Sequence, residues 1–385
     1  MSQFLLASSL FQLLDRDLFD ELCDKWQMDK GVRRLSTWDE TRTLMTALLL
    51  GLRSLREIEE VLFVPRSTLD DAMRKRRSGF FYELCKAVTQ QIVAVAPSRK
   101  VRRALNILLA MDSTSIRLNG RLSGEAMWGD KKAKNRKRAA AKLTVIWNVG
   151  GEWIQDFRIG GGFGHDGPIA HQFAVVKGAT YVFDRGYSDV RFWWRLMEAG
   201  ANFVTRLKDW KSVREQRKEL IKGADNEFGV LWEGPWTPTY KTMQRNPDLP
   251  EQAFRRVIYR DEETGKLLDF VTSDWKTAAK VIADIYKQRW AIELVFRWFK
   301  GHLGIRYLDT RSKNAIKTQL AVAILTRLLL QLEKILYDLE QTAWELLRMI
   351  VAYVKRNGLV ALAFTTAYTP KPRLIVSSGL KVCVI

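Results

Sequence analysis

The sequence predicts an α/β protein: a mixed β-sheet with helices on both faces, preceded by an all-helical region and followed by another. Three observations predict it. Apolar residues recur at helical spacing through the first hundred positions, with capping signals between the runs. Two short apolar runs, 105–112 and 180–184, each finish on an aspartate, as buried strands do where they leave a sheet. A third polar feature lies within a predicted helix at 276–300, where Tyr286, Arg289, Glu293 and Lys300 share one side at 100° per residue.

The helical region is read from its caps. Phe11, Leu14, Leu18, Leu22 and Trp26 form the stripe of a first helix. Ser36 caps a second, which runs through Leu50 and ends at Gly51. Ser54 and Glu57 form a capping box that opens a third. Ser67 and Asp70 repeat that logic for a fourth, which runs into Arg74, Lys75, Arg76 and Arg77. Two short helices across a Val64-Pro65 turn, the second ending in four bases, resemble a DNA-binding helix-turn-helix. A small helical bundle with a basic end would read the same. Pro97 and the basic run after it mark a linker, so the helical domain is placed at 1–98.

From residue 104 the texture changes. After the strand at 105–112, runs at 142–149 and 152–157 flank Gly150-Gly151, a hairpin signal. A helix at 167–177, the strand at 180–184, a helix at 189–199 stopped by Gly200 and a strand at 202–207 follow. With the helix of 276–300, this order is the ribonuclease H-like arrangement, placed at 99–207 and 275–305. The intervening 208–274, rich in charge, proline and tryptophan, reads as a small β-rich insertion domain with strands near 255–259 and 267–271. Amphipathic helices at 312–356 make 306–385 a helical C-terminal region.

Composition narrows the function. A chain of 385 residues with 47% hydrophobic residues is globular rather than disordered. Its net charge of +20 asks for a polyanionic partner. Between Arg99 and Lys142, 13 lysines and arginines face three acids, so half of that net charge sits there. The densest part contains Lys131, Lys132, Arg136, Lys137 and Arg138; it reads as a solvated loop or, given the strand before it, as a phosphate-facing one. No uninterrupted apolar run of about 18 residues predicts a membrane span. Met1 opens no basic signal-peptide region, and three scattered cysteines suggest neither disulfides nor a thiolate metal site. The expected location is cytoplasmic, associated with the nucleoid.

Chemistry gathers around Asp112, Asp184 and Glu293. Strand ends open at the mouth of a crevice, where ligands bind. Three carboxylates from distant segments of a basic chain suggest a hard divalent cation held through oxygen. Two such ions about 4 Å apart activate a water or sugar hydroxyl and stabilise the leaving oxygen of a phosphodiester. Taken singly, each acid reads as a cap, a turn residue or an exposed ion-pair partner. Ile285, Ile292, Phe296 and Phe299 form the apolar stripe that holds the Glu293 helix to a core.

These residues resemble those of the bacterial insertion-sequence DDE transposases. Asp184 lies in Phe183-Asp-Arg-Gly-Tyr187. Tyr286, Arg289, Glu293 and Lys300 match the branch whose catalytic Glu lies in a Y-(2)-R-(3)-E-(6)-K motif. The stretches 54–59 and 67–71 also look like that family's N-terminal region. The resemblance implies cut-and-paste transposition: a DNA nick by water, attack of the freed 3′-OH on the opposite strand to form a hairpin, hairpin opening, and attack on target DNA. It implies two Mg²⁺ ions (or Mn²⁺) on Asp112, Asp184 and Glu293, DNA phosphates held by Tyr286, Arg289 and Lys300, and a homodimer on double-stranded DNA at synapsis. Arginine suits bidentate phosphate contacts and lysine acts as a point charge. Hairpin-forming relatives stabilise a flipped base with a tryptophan of the insertion, for which Trp210, Trp232 and Trp236 are candidates. His165 and Lys142 read either as site residues or as ordinary loop and surface groups. Two other readings remain at this level: a catalytically silent relative that only binds DNA, and a metal nuclease that does not transpose.

Overall fold

The computed structural model describes residues 10–96, 107–118, 139–162, 166–224, 227–248, 254–302, 307–308 and 312–357. The caps set most helix starts. In α1 (Arg16–Trp26), the Asp15 carboxylate accepts from the amides of Asp17 and Leu18. α2 (Thr37–Leu50) begins on Ser36 and stops at Gly51, which takes φ 72°. α3 (Leu55–Leu62) begins on Ser54, while Glu57 accepts from the Arg53 amide at 2.8 Å. Ser67 does not cap α4 (Arg66–Lys75). That helix starts before it, and Glu59 of α3 accepts from the free Arg66 amide at 3.2 Å. The cap is thus supplied by the neighbouring helix. α5 (Gly79–Val95) follows directly.

Arg76 departs from its expected DNA-facing role. It is 6% exposed and donates to the fully buried Glu40 at 2.6 Å, to Asp29 at 3.1 Å and to the Leu35 carbonyl. The guanidinium ties α2 to the end of α4 and has no face left for a phosphate. Its neighbours Arg74 and Lys75 are exposed, paired along the helix with Asp70 and Asp71, and Arg77 is exposed as well.

The sheet forms around β1 (Leu108–Leu118). β2 (Ala139–Asn148) and β3 (Trp153–Gly161) are a hairpin, and β2 runs antiparallel to β1. The left-handed turn residue is Glu152, φ 60°, rather than either glycine. Gly151 is required differently, because a Cβ there would meet the Trp153 ring. β4 (Thr180–Phe183) and β5 (Asn202–Arg206) add in parallel on the other side of β1. α6 (Asp166–Ala170) is shorter than the predicted helix at 167–177. The next carbonyls that would extend it, at His171, Gln172 and Phe173, are taken by Arg195 and Arg158 side chains. α7 (Val190–Glu198) ends at Gly200, φ 74°, as expected.

The segment after 207 holds α8 (Lys211–Leu220), β6 (Gly229–Trp236), α9 (Tyr240–Gln244), β7 (Phe254–Arg260) and β8 (Leu267–Thr272). Its strands build no second sheet. β8 pairs with β5, which gives one sheet ordered β3-β2-β1-β4-β5-β8-β7-β6.

Where one helix is predicted at 276–300, two form: α10 (Ala279–Lys287) and α11 (Trp290–His302). At the junction the amides of Arg289, Ala291 and Ile292 bond three residues back, to Tyr286, Gln288 and Arg289, so the chain tightens and turns. β9 (Tyr307–Leu308) pairs with the far end of β1.

Alternation along the strands splits the core in two. Leu109, Met111, Tyr181, Phe183 and Phe203 face α6 and α7, with Trp193 among them. Ala110 and Val182 face the other way, into a core shared with Ile292, Phe296 and Phe299 of α11, with α5 and with α12 (Lys313–Leu336). α12 is buried all round instead of amphipathic. It is long and apolar enough to span a membrane by composition, yet 89% of its most apolar window is buried inside the molecule. α13 (Ala343–Asn357) packs against it and α2. The N-terminal helices are tied to α12 by Asn314, which accepts from the Ser78 amide at 3.1 Å and donates to the carbonyls of Met73 and Arg76.

Candidate active site

The site starts from strand register. β1 and β4 pair through Met111 and Phe183, so the next position on each strand holds Asp112 and Asp184, side by side at a strand spacing of about 5 Å. Asp112 does not end its strand, because β2 keeps β1 paired out to Leu118. The end of β4 is what opens the sheet there. Both aspartates follow the alternation of Ala110 and Val182 and so face the side where α11 packs.

α11 brings Glu293 to the same place, and Arg289 joins the acids. Its guanidinium donates to Asp112 Oδ2 at 3.2 Å and to Glu293 Oε1 at 2.7 Å. Burial alone would make Arg289 easier to deprotonate, but the Glu293 hydrogen bond and the surrounding negative charges hold its proton more tightly. Burial pushes the Asp112 carboxyl up to about 6; the Asp184 and Glu293 charges add to that rise, and the Ser113 amide and Arg289 oppose it. Asp184 accepts from the Gly186 amide at 2.7 Å.

Tyr286 lies against Arg289, its ring 5.8 Å from the guanidinium carbon and 5.1 Å from the Phe270 ring. Burial makes its phenol harder to ionise. Lys300 stands two turns beyond Glu293 on α11, where burial lowers its ammonium pKa.

As they stand, no three acids, histidines or cysteines among the described residues surround one point closely enough to hold an ion. A guanidinium occupies the space between two of the carboxylates. The donor chemistry still fits a hard divalent cation. Three carboxylates with one guanidinium leave net negative charge, and the raised Asp112 carboxyl registers that excess.

Asp166 carries weight the motif alone did not assign. It accepts from Ser113 Oγ at 2.7 Å and from the Lys142 ammonium at 2.9 Å. Ser113 alternates with Asp112, so this group lies on the opposite face of β1. Lys142 therefore braces the strand from behind instead of entering the acid cluster. The signal for it was Ser113 directly after Asp112, with Lys142 two residues from its strand partner.

Gly186 sits where the two halves meet. A Cβ there would come 2.7 Å from Asp184 Oδ1 and 3.5 Å from Asp166 Oδ2. Gly186→Ala is expected to push the Asp184 carboxylate aside and to lower DNA cleavage by about a hundredfold. Its thermal unfolding should stay near that of the parent; gel-based cleavage rates and calorimetry check both.

The tryptophans divide. Trp236 is half-buried and packs on Trp193 and Phe254 at the edge of the core, which leaves it less ring face than the others. Trp210 is 55% exposed with the Lys208 ammonium 5.7 Å from its ring. Trp232 lines a cavity of 560 Å³ with Trp275, Glu233 and Arg255, beside the entry to α10. His165 and the basic residues Lys131, Lys132, Arg136, Lys137 and Arg138 lie outside the described residues.

Comparison with known proteins bears on this cluster. Residues 104–329 match the family described as the transposase DDE domain, and residues 3–71 match a domain of unknown function (DUF4372). A Sinorhizobium fredii protein described as a transposase is 32% identical over 69% of this chain and 70% of its own length. A Geobacillus stearothermophilus insertion-sequence transposase is 29% identical over 71% of this chain and 69% of its own. Among solved structures, a piggyBac transposase synaptic complex with hairpin DNA aligns with 90% of this chain and 80% of that one, at TM-score 0.49 and 12% identity. The chain belongs to the transposase DDE domain family: it is an enzyme, a DNA transposase of the insertion-sequence kind, with the divalent metal dependence that this domain implies.

Proposed function

We propose that this transposase cuts at the ends of its element and joins them to target DNA with Asp112, Asp184 and Glu293 as the ligands of two Mg²⁺ ions, for which Mn²⁺ substitutes. The observation that carries this reading is the meeting of three carboxylates, two side by side on adjacent strands and one reached through Arg289. The order β3-β2-β1-β4-β5, with the first three antiparallel and the last two parallel to β1, supports a ribonuclease H-like core. Bound ions would supply Lewis-acid activation of the attacking oxygen and stabilise the leaving one.

The chain's own residues do the rest. Without metal, Arg289 bridges Asp112 and Glu293 and offsets part of their charge. Once those acids are engaged, its guanidinium is free to turn to a phosphate, where its fork suits two oxygens. Tyr286, packed beside it, and Lys300 further along α11 hold neighbouring phosphates. This completes the roles of the Y-(2)-R-(3)-E-(6)-K pattern. The reaction runs through a hairpin, with Trp210 or Trp232 stacking on a displaced base. Arg74, Lys75 and Arg77 contact DNA from the helix-turn-helix-like pair α3 and α4. Two ends need two active sites, so a homodimer forms on DNA.

The test is a labelled terminal-repeat duplex incubated with Mg²⁺. Hairpin product is expected from the parent protein and none from Glu293→Gln. Tight binding without cleavage by the parent would point to a DNA-binding relative, and end-independent degradation to a nuclease.

A further inference from the structure

We infer that Arg206 is a further DNA-contacting residue of this site, holding a backbone phosphate of the strand that lies across the ends of β1, β4 and β5; this rests on the proposed reading of the carboxylates. β4 and β5 pair through Val182 and Val204, so Asp184 and Arg206 fall at matching positions two residues on. With Asp112 beside Asp184, the three residues form one row across three neighbouring parallel strands. Alternation places Arg206 on the same face as Val204, toward α10. Its charge eases ionisation of the Tyr286 phenol where that of Asp184 opposes it, and it pairs through its backbone with Phe270, on which Tyr286 rests.

The side chain is set in place but not used. Its Nε is buried and finds no acceptor among the described residues. Nor does Arg206 form an ion pair with Asp184 among them, although the two strands are adjacent; Asp184 is turned to the Gly186 amide instead. Arg289 is occupied by two carboxylates, although its own Nε also finds no acceptor among the described residues, whereas no carboxylate among the described residues holds Arg206. A buried guanidinium nitrogen without a partner carries a desolvation penalty that a phosphate oxygen would remove. A divalent cation would be repelled from this end of the row, and a polyanion attracted to it. Arg206 therefore marks where DNA leaves the carboxylates.

The experiment measures binding, not cutting. A duplex copied from the element's own terminal repeat is titrated with chelator present, and single phosphates near the cleavage position are replaced in turn by uncharged methylphosphonate. Arg206→Gln is expected to weaken binding to the normal duplex about tenfold or more and to reduce the slope of log affinity against log salt by about one. At one linkage, methylphosphonate should weaken the parent by a similar factor and leave Arg206→Gln nearly unaffected; Arg206→Lys should recover part of the loss. Equal penalties in parent and variant at every linkage would overturn the inference while leaving the cleavage reading intact. A parent protein that ignores the end duplex altogether would overturn both. Thermal unfolding of Arg206→Gln is measured alongside, since misfolding lowers affinity at all linkages alike.

Discussion

Asp112→Asn is expected to abolish cleavage, by about a thousandfold or more, while end binding without metal persists. A carboxylate that shares a divalent cation contributes several kcal/mol of transition-state stabilisation, and the neutral amide cannot replace it. The same change should leave the metal-free fold at least as stable as the parent. Asp112 is half-buried near two other acids, and its raised carboxyl reports that ionisation is opposed there. Removing that charge relieves a repulsion and leaves Arg289 with Glu293 at 2.7 Å. Cleavage gels and calorimetry in chelator give the two readouts. If Asp112→Asn melted well below the parent, the carboxylate would be structural and the site lost for another reason.

Arg76→Met is expected to cost about 3–5 kcal/mol of stability, the usual loss when one partner of a buried ion pair is removed. Glu40 would remain wholly buried, and its Oε1 already lacks a hydrogen-bond partner. In the parent, burial pushes the Glu40 carboxyl up to about 7, against the opposing pull of Arg76. An acid whose folded pKa exceeds its unfolded one holds more protons when folded, so stability falls as pH rises from 4.5 toward 7. Without Arg76 the carboxyl rises further and that loss continues to higher pH. Melting of Arg76→Met should therefore lag the parent more at about pH 8 than at about pH 5. Adding Glu40→Leu should recover much of the loss, because an apolar pair needs no neutralisation. Urea denaturation of the three proteins at both pH values checks this. An Arg76→Met variant that held parental stability and lost only DNA affinity would return Arg76 to a DNA-facing role.

How much of this could be read from residues alone follows physical locality. Ser36, Gly51, Ser54 and Gly200 act within one turn of chain, and each does what its position in the sequence foretells. The end of the strand before Asp184 was legible for the same reason. The length of β1 was not, because β2, some twenty residues away, keeps it paired. Helix 166–170 stops where the side chains of Arg158 and Arg195 take the carbonyls of the three residues that follow it. The Arg74–Arg77 run looked uniform in sequence, but Glu40 and Asp29 draw one of its members inward. The break at Arg289 had no proline or glycine to announce it. The bridge from Arg289 to Asp112 spans 177 positions; the motif supplied the residues, and tertiary contact supplied their arrangement.

That break separates two supports. Ala279, Ile282 and Ala283 of α10 are seated on β5, β7 and β8, whereas Ile292, Val295, Phe296 and Phe299 of α11 are seated among α12 and the N-terminal helices. Tyr286 touches both supports, whereas Glu293 rides on the second, and Arg289 stands at the joint between them. The gap between phosphate holder and acid is set by how one half of the molecule leans on the other. Damage far from any carboxylate, in the packing under α12, can therefore mistune the chemistry while leaving every reactive group intact.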